Sequence, residues 1–226
     1  MRGYRVAPIA QPRIEAAFPT WILRVDYPFA GTSLKEIAQL AYDTQKSDPA
    51  GNEWSIGNYG LGYTSYGSQI EIGKCPVIAT LAAFFLAQAE NYARHISVDL
   101  SMVSLAMGKI WLNINPKHSY HGEHMHSDAF ISGVYYIQTP HASGNTLFRD
   151  PRAATAFCRL PFAENTPRNA NAITVNPRPG LLIMFPGWLT HSVEQNHSDD
   201  DRISLAFNIK LEDLKTSTHC FESRNV

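Results

Sequence analysis

The chain has no charge excess of either sign, few cysteines and no long apolar segment. Its 19 basic and 20 acidic residues leave a formal net charge of −1, so binding to nucleic acid or an acidic membrane through bulk charge is not expected. The three cysteines, Cys75, Cys158 and Cys220, are widely spaced. This spacing excludes a disulfide framework and a Cys-x-x-Cys motif, and it predicts a reducing, cytoplasmic setting.

Neither a membrane span nor a secretory signal is expected from this sequence. The most apolar run covers residues 77–89, which is shorter than the ~20 residues that span a bilayer. The N-terminus carries arginines but no continuous apolar segment of the kind that marks a secretory signal. With 44% hydrophobic and 17% charged residues, the composition is typical of a folded globular protein, and we expect one domain over residues 1–226.

The first hundred residues are predicted to be helical. A capping-box pattern from Ser33 to Glu36, followed by apolar residues at helical spacing, predicts a helix over residues 33–46. A second helix is predicted from Pro76 to about Ile96, because proline suits the first helical turn and an apolar stripe follows it. Residues 49–75 contain six glycines, which predicts loops with one short strand near a cavity mouth.

From residue 102 onward, short alternating runs separated by turn residues predict many short strands. The predicted strands cover residues 105–115, 130–138, 146–149, 172–175, 180–185 and 202–210. The expected fold is therefore mainly β, a β-sandwich or jelly roll, with two supporting N-terminal α-helices over about residues 1–100 and the β core over about residues 101–212. Residues 150–171 lack periodicity, and either a lid or a surface insertion fits them.

Four of the nine histidines lie between residues 118 and 126, and Asp128 follows them closely. In a strand, His124, His126 and Asp128 would point to the same face. The other two, at positions 118 and 121, better fit a solvated loop. His191 ends a bulky apolar segment, and it is the distant residue best suited to complete a metal site.

The predicted strand over residues 202–210 has one apolar face, and Arg202 and Ser204 lie on the other. An arginine in a buried metal compartment would be an uncompensated cation unless it met an anion, for which a carboxylate is the simplest partner. The alternative is a surface arginine paired with an aspartate of residues 199–201. Two imidazoles and a carboxylate with open coordination positions form the facial triad of non-haem Fe(II) oxygenases, although Mn(II) and Zn(II) also suit these ligands.

The segments His126-Ser127-Asp128, His191 and Arg202-Ile203-Ser204 resemble the His-x-Asp…His…Arg-x-Ser pattern of the Fe(II)/2-oxoglutarate-dependent oxygenases. Over about residues 100–210 the sequence is similar to a bacterial and phage subgroup of that family, including the residues from Ser132 to Tyr136. This resemblance implies a double-stranded β-helix, a cupin-like jelly roll, with iron and 2-oxoglutarate bound between its two sheets.

The resemblance also implies roles for individual residues. His126, Asp128 and His191 would hold Fe(II), and Arg202 and Ser204 would bind the distal carboxylate of 2-oxoglutarate. Asn113 and Tyr136 would line that pocket. The subgroup often has asparagine where this chain has Asp128, whereas the histidine matching His124 recurs, so His124, His126 and His191 form a competing ligand set. The implied reaction consumes O2 and 2-oxoglutarate, hydroxylates a small-molecule or side-chain substrate, and releases succinate and CO2.

Two other functions fit parts of the same pattern. A cupin-like metal enzyme would use three histidine ligands without 2-oxoglutarate, and Arg202-Ile203-Ser204 argues against it. A non-catalytic jelly roll could bind metal through the histidine cluster alone. Phosphate-binding loops, the nucleophile elbow and the His-Glu-x-x-His zinc motif are absent from the sequence. The sequence does not identify a substrate, and base rates favour a homodimer over other assemblies.

Overall fold

The structure is a computed structural model that describes residues 13–27, 31–152, 160–164 and 166–213, without the side chains of residues 31–33. Its helices and strands, in chain order, are β1 (Leu23–Asp26), α1 (Gly31–Ser47), α2 (Pro49–Asn58), β2 (Tyr63–Thr64), α3 (Pro76–His95), β3 (Val103–Asn115), β4 (His121–His124), β5 (Ile131–Gln138), β6 (Thr146–Arg149), β7 (Ala172–Val175), β8 (Leu181–Pro186), β9 (His191–Val193) and β10 (Arg202–Asp213). Two short 3-10 turns, Ser65–Gly67 and Ile72–Lys74, lie between β2 and α3.

The strands form two antiparallel sheets. The larger sheet has the order β1-β8-β5-β10-β3-β2, and the smaller sheet has the order β4-β9-β6-β7. From β3 onward the chain crosses from one sheet to the other at every step except the step from β6 to β7, and this crossed order is that of a double-stranded β-helix. The mainly β fold expected from the sequence is therefore confirmed.

The outer face of the larger sheet packs against the helices. The apolar face predicted for β10 lies in this core, because Ile203, Leu205, Phe207 and Ile209 are all fully buried there. Phe207 stacks on Phe85 of α3 with ring centroids 4.4 Å apart. The residues of β10 between these apolar ones therefore face the other sheet.

A second apolar cluster closes part of the space between the two sheets. Its members are Tyr136, Phe148, Val175, Leu181, Ile183, Phe185 and Leu189. They come from β5, β6, β7 and β8 and from the turn before β9. The cluster leaves the β3 and β10 side of the inter-sheet space for polar residues.

The two predicted helices correspond to α1 and α3, although the capping side chain of Ser33 lies outside the described residues. The prediction of loops over residues 49–75 was wrong for the first third of that range, where α2 forms. The Asp48 carboxylate accepts a hydrogen bond of 3.0 Å from the Gly51 N–H, and Pro49 occupies the first helical turn. These two starting signals outweigh the low helix propensity of two glycines. Within the described residues, α2 therefore adds a third helix to the two that were predicted to support the β core.

The predicted strands lie close to the observed ones, and the predicted short strand between the helices is β2. Two further strands, β1 and β9, are only four and three residues long and were not predicted, whereas β4 overlaps the start of the strand that was considered for His124 to Asp128. Most of the 150–171 segment is described, but residues 153–159 and 165 lie outside the described ranges, so the lid interpretation stays a prediction. No helix in the described part of the chain is long and apolar enough to cross a membrane.

Candidate active site

A cavity lined by both polar and apolar side chains lies between the two sheets. The larger sheet contributes inward residues of β3, β5 and β10, among them Trp111, Asn113, Asn115, Arg202 and Ser204. The smaller sheet and the loop after β4 contribute four histidines: His121, His124, His126 and His191. Within the described residues, the cavity lining includes this one arginine and no aspartate or glutamate. The cavity therefore combines a positive charge that can bind an anion with a neighbouring cluster of imidazoles.

Three of these histidines converge on one point. His124, His126 and His191 each offer a ring nitrogen, and the three nitrogens lie within 4.8 Å of one another. His124 is directly opposite His191 in the pairing of β4 with β9. His126 follows β4 in a loop whose position is set by a 2.8 Å hydrogen bond from its backbone N–H to the Gly187 carbonyl. Three imidazole nitrogens on one side of a cavity suit a borderline metal ion with open positions on the other side.

Backbone contacts orient two of the imidazole rings. His191 Nδ1 lies 2.9 Å from the Leu189 carbonyl oxygen, and His124 Nδ1 lies 2.8 Å from the Gly122 carbonyl oxygen. A carbonyl oxygen only accepts hydrogen bonds, so in both rings Nδ1 carries the proton and donates it. The Nε2 lone pair of each ring is then available to a metal, which is the usual arrangement of metal-bound histidines.

Burial keeps these imidazoles neutral. Desolvation, with a smaller contribution from His124, lowers the pKa of His191 to about 3 and that of His126 to about 4. Desolvation also lowers the pKa of His124. At pH 7 the three rings are therefore uncharged, and protons do not compete with a metal ion for their lone pairs.

Asp128, the predicted carboxylate ligand, lies outside this cluster. Its side chain is 67% exposed, and its carboxylate is 3.6 Å from the ammonium group of Lys210. The three side chains of His124, His126 and Asp128 would share a face only in one continuous strand, but β4 ends at His124. The residues after it form a loop and lose the alternation that would have aligned all three side chains. Of the two ligand sets drawn from the sequence, the structure brings together the three histidines.

Arg202 is the one buried cation of the cavity lining among the described residues. The residue is 1% exposed, and its guanidinium carbon lies 5.3 Å from the centroid of the Tyr136 ring. One nitrogen, Nη2, is 3.4 Å from Thr146 Oγ1, whereas Nε and Nη1 have no hydrogen-bond partner among the described residues. Its burial excludes the alternative of a surface arginine paired with the aspartates of residues 199–201.

A second side chain near Arg202 also has a buried N–H group without a hydrogen-bond partner in the described chain. Tyr59 Oη donates to Asn115 Oδ1 at 3.2 Å, and Asn115 Nδ2 is left buried without a partner in the described chain. Ser204, on the same face of β10, lines the cavity as the sequence predicted. Of the two predicted pocket residues, Asn113 lines the cavity, and Tyr136 lies in the adjoining cluster with its hydroxyl 2.7 Å from Thr146 Oγ1. Unpaired N–H donors at the Arg202 end fit a carboxylate group.

Trp111, Asn115, Thr146 and His121 line the cavity but were not among the predicted site residues, whereas Tyr59 belongs to the segment that was expected near a cavity mouth. The alternation along β3 could have identified Trp111 and Asn115, because both occupy odd positions like Asn113. The position of His121 depends on tertiary structure, since it precedes an irregularity in β4. His118 is exposed, as a solvated loop residue was expected to be.

Residues 109–208 match the family model described as "Putative 2OG-Fe(II) oxygenase". No curated protein sequence matches the chain. The matched segment contains all the histidines of the cluster, Arg202 and Ser204. Together with the fold, this match supports the assignment of the chain to the 2OG-Fe(II) oxygenase superfamily. The description of the family model implies Fe(II), 2-oxoglutarate and O2 for the proteins that it covers.

Solved structures of this superfamily share the fold at low sequence identity. A prolyl-4-hydroxylase from Pseudomonas putida is 15% identical with a TM-score of 0.56, over 84% of this chain and 92% of that one. The epimerase SnoN, in complex with Fe3+, α-ketoglutarate and nogalamycin RO, is 14% identical with a TM-score of 0.57, over 92% and 88% of the two chains. HygX from Streptomyces hygroscopicus, with nickel, 2-oxoglutarate and hygromycin B bound, is 13% identical with a TM-score of 0.53, over 84% and 83%.

Proposed function

We propose that this protein is an Fe(II)- and 2-oxoglutarate-dependent dioxygenase that hydroxylates a small molecule or a side chain and releases succinate and CO2. In this proposal His124, His126 and His191 hold the iron, and Arg202 with Ser204 binds the distal carboxylate of 2-oxoglutarate. The observation that carries the proposal is the buried, unpaired guanidinium of Arg202, which shares one cavity with three converging imidazoles.

The histidine cluster is suited to iron on chemical grounds. Neutral imidazole nitrogens bind Fe(II) well, and three of them on one side leave positions for a chelating co-substrate and O2. When bound, the iron supplies the redox chemistry that couples decarboxylation of 2-oxoglutarate to oxidation of the substrate. The protein orients the imidazole rings. The Leu189 carbonyl holds His191, and the Gly122 carbonyl holds His124, in the tautomer that leaves Nε2 free to bind a metal.

The Arg202 end of the cavity is suited to the distal carboxylate. A guanidinium that is 1% exposed and faces no acidic side chain is costly to bury unless an anion meets it. A carboxylate accepts charge-assisted hydrogen bonds from the unpaired Nε and Nη1, and the Ser204 hydroxyl on the same strand face is a further donor. A dicarboxylic 2-oxo acid would thus bind with one end at Arg202 and the other at the histidines.

The histidine ligand set also fits a cupin-like metal enzyme that uses no 2-oxoglutarate, and a non-catalytic metal-binding jelly roll. Both alternatives leave Arg202 without a role, whereas the dioxygenase uses it. Proteins of the same fold include a prolyl hydroxylase bound to a peptide fragment and HygX bound to hygromycin B. Both a side chain and a small molecule are therefore kept as substrate classes.

The ligand assignment is tested by iron binding. We expect alanine variants of His124, His126 and His191 each to lose Fe(II) affinity by about tenfold or more, because loss of one ligand opens the coordination sphere. Asp128→Ala is the matched control and should bind iron like the wild type. The measurement is anaerobic Fe(II) titration against a chromogenic chelator. Loss of iron in Asp128→Ala with normal binding in His124→Ala would contradict the assignment.

The co-substrate assignment is tested by 2-oxoglutarate turnover. We expect Arg202→Gln to weaken 2-oxoglutarate binding by about 30-fold or more, since removing one partner of a buried charge pair costs 2–5 kcal/mol or above. Arg178→Gln is the control, because Arg178 is an exposed arginine that pairs with Asp26 far from the cavity. Succinate formation is followed as a function of 2-oxoglutarate concentration. An unchanged KM in Arg202→Gln would remove Arg202 from the site.

A further inference from the structure

His121 faces the same cavity as the three converging histidines, although it lies three residues before His124. In the pairing of β4 with β9, His121 is opposite Val193 and His124 is opposite His191. Three steps along β4 thus match two steps along β9, which is the signature of a β-bulge at residues 122–123. Without this bulge, side chains three apart in a strand would point to opposite faces. The bulge therefore turns His121 inward.

Two aromatic contacts hold the His121 ring. Its centroid is 3.9 Å from the His124 ring at an interplanar angle of 31°, and it is 4.7 Å from the Tyr59 ring in an edge arrangement. Neither ring nitrogen of His121 has a hydrogen-bond partner among the residues that the structure describes. A half-buried imidazole with a fixed ring and two unused polar atoms that line a cavity is suited to hydrogen-bond a ligand.

The sheet register places His121 in the row of the smaller sheet that also contains Thr146, the residue beside Arg202. Val193 pairs with His121 on one side and with Thr146 on the other, so these three residues form one row across the smaller sheet. Thr146 is the residue that contacts Arg202. The adjacent row contains His124 and His191. A ligand that extends from the histidines to Arg202 must pass the His121 row.

We propose that His121 is a positioning residue that hydrogen-bonds the 2-oxo acid co-substrate between the histidine cluster and Arg202. This inference rests on the proposed function and adds a contact that the sequence pattern of the family does not contain. The ring contacts with His124 and Tyr59 fix the ring plane of His121 at the cavity wall.

The test uses His121→Phe, which keeps an aromatic ring for the stacking contacts and removes both ring nitrogens. In an anaerobic titration of the Fe(II)-loaded protein with 2-oxoglutarate, followed by its visible charge-transfer band, we expect the Kd to rise about tenfold. Iron affinity in the absence of 2-oxoglutarate should stay unchanged. His121→Gln, which retains an N–H donor, should recover most of the affinity. His141→Phe is the control, because His141 is an exposed histidine in the turn after β5.

Each outcome of this experiment either supports the inference or overturns it. An unchanged 2-oxoglutarate Kd in His121→Phe would reduce His121 to a packing residue. Loss of iron in His121→Phe would make it a metal ligand instead. If His121→Phe does not fold, the 2-oxoglutarate Kd and the iron affinity of His121→Ala are measured instead, and the same outcomes apply. If the wild-type protein binds iron but gives no band with 2-oxoglutarate, the proposed function fails, and this result is distinct from failure of the His121 inference.

Discussion

Replacing Arg202 by methionine should stabilise the ligand-free protein while it abolishes 2-oxoglutarate binding. Methionine fills a similar volume without a charge. The wild-type guanidinium is 1% exposed, has two nitrogens without partners in the described chain, and makes one long contact of 3.4 Å with Thr146. These contacts therefore offset only a small part of the free energy that burying the guanidinium charge costs.

The size of the effect follows from these contacts. Replacing a buried ionic group by an apolar residue of similar volume commonly gains 1–4 kcal/mol, and the lost contacts with Thr146 and the Tyr136 ring oppose this gain by roughly 1 kcal/mol. We expect a net increase of about 1–2 kcal/mol in the free energy of unfolding. For a chain of this length, this gain raises Tm by about 2–8 °C.

The assay is thermal unfolding of the metal-free protein, repeated with Mn(II) and saturating 2-oxoglutarate. A ligand present at about 100 times its Kd stabilises the folded state by about 2.7 kcal/mol, so the wild type should gain stability on addition of 2-oxoglutarate and Arg202→Met should not. A variant that unfolds at a lower temperature than the ligand-free wild type would refute the view that Arg202 is maintained for ligand binding.

Three further predictions follow from the cavity and the core. Because no acidic residue of the described chain lines the cavity, Fe(II) and 2-oxoglutarate should tighten each other's binding by about 5–150-fold; equal iron affinities with and without 2-oxoglutarate in anaerobic titrations would contradict this. Gly133→Ala should cost about 1–3 kcal/mol of stability, since a Cβ there would lie 2.2 Å from Phe207 Cζ, whereas Gly57→Ala on α2, with open space around it, should cost nothing in urea unfolding. The metal-free protein should lose stability as pH falls from 6.5 towards 4. In the folded protein the pKa of His126 is about 4 and that of His191 is about 3, both below the value of 6.5 for a free histidine, so the unfolded chain takes up protons at a higher pH than the folded chain does. A free energy of unfolding that stays constant over this pH range would argue against neutral buried rings.

The features that could be predicted from the sequence are those set by local periodicity. In β10 the alternation of apolar and polar residues identified both the face that packs on α3 and the face that carries Arg202 and Ser204. The same alternation in β3 identified Asn113. A strand has a fixed period of two, so these orientations need no tertiary information.

The choice between His124 and Asp128 as the third candidate metal ligand could not be made from the sequence, because it depends on where β4 ends. The side chains of His126 and Asp128 would share a face only if β4 continued to residue 128, and the loop that crosses Gly187 instead separates them. Gly187 leaves no room for a side chain there, because a Cβ would lie 2.1 Å from the Ala129 carbonyl oxygen. This close approach of two segments distant in sequence is a tertiary constraint that no local pattern reveals.

The helix α2 and the inward position of His121 were missed for related reasons. The Asp48 carboxylate that caps α2 also accepts a 2.8 Å hydrogen bond from Tyr63 Oη, so its burial depends on a residue beyond the helix. His121 faces the cavity because a bulge at Gly122 and Glu123 breaks the alternation of the strand, so a simple period of two assigns this side chain to the wrong face.

The most direct test of the central claim is optical and anaerobic. Adding 2-oxoglutarate to the Fe(II)-loaded protein should produce the weak visible charge-transfer band of a 2-oxo acid chelated to ferrous iron. The band should persist in Asp128→Ala and disappear in His124→Ala, because His124 is the proposed third ligand. Iron binding without any band would contradict the proposed function, and a band that requires Asp128 and survives loss of His124 would contradict the proposed ligand set.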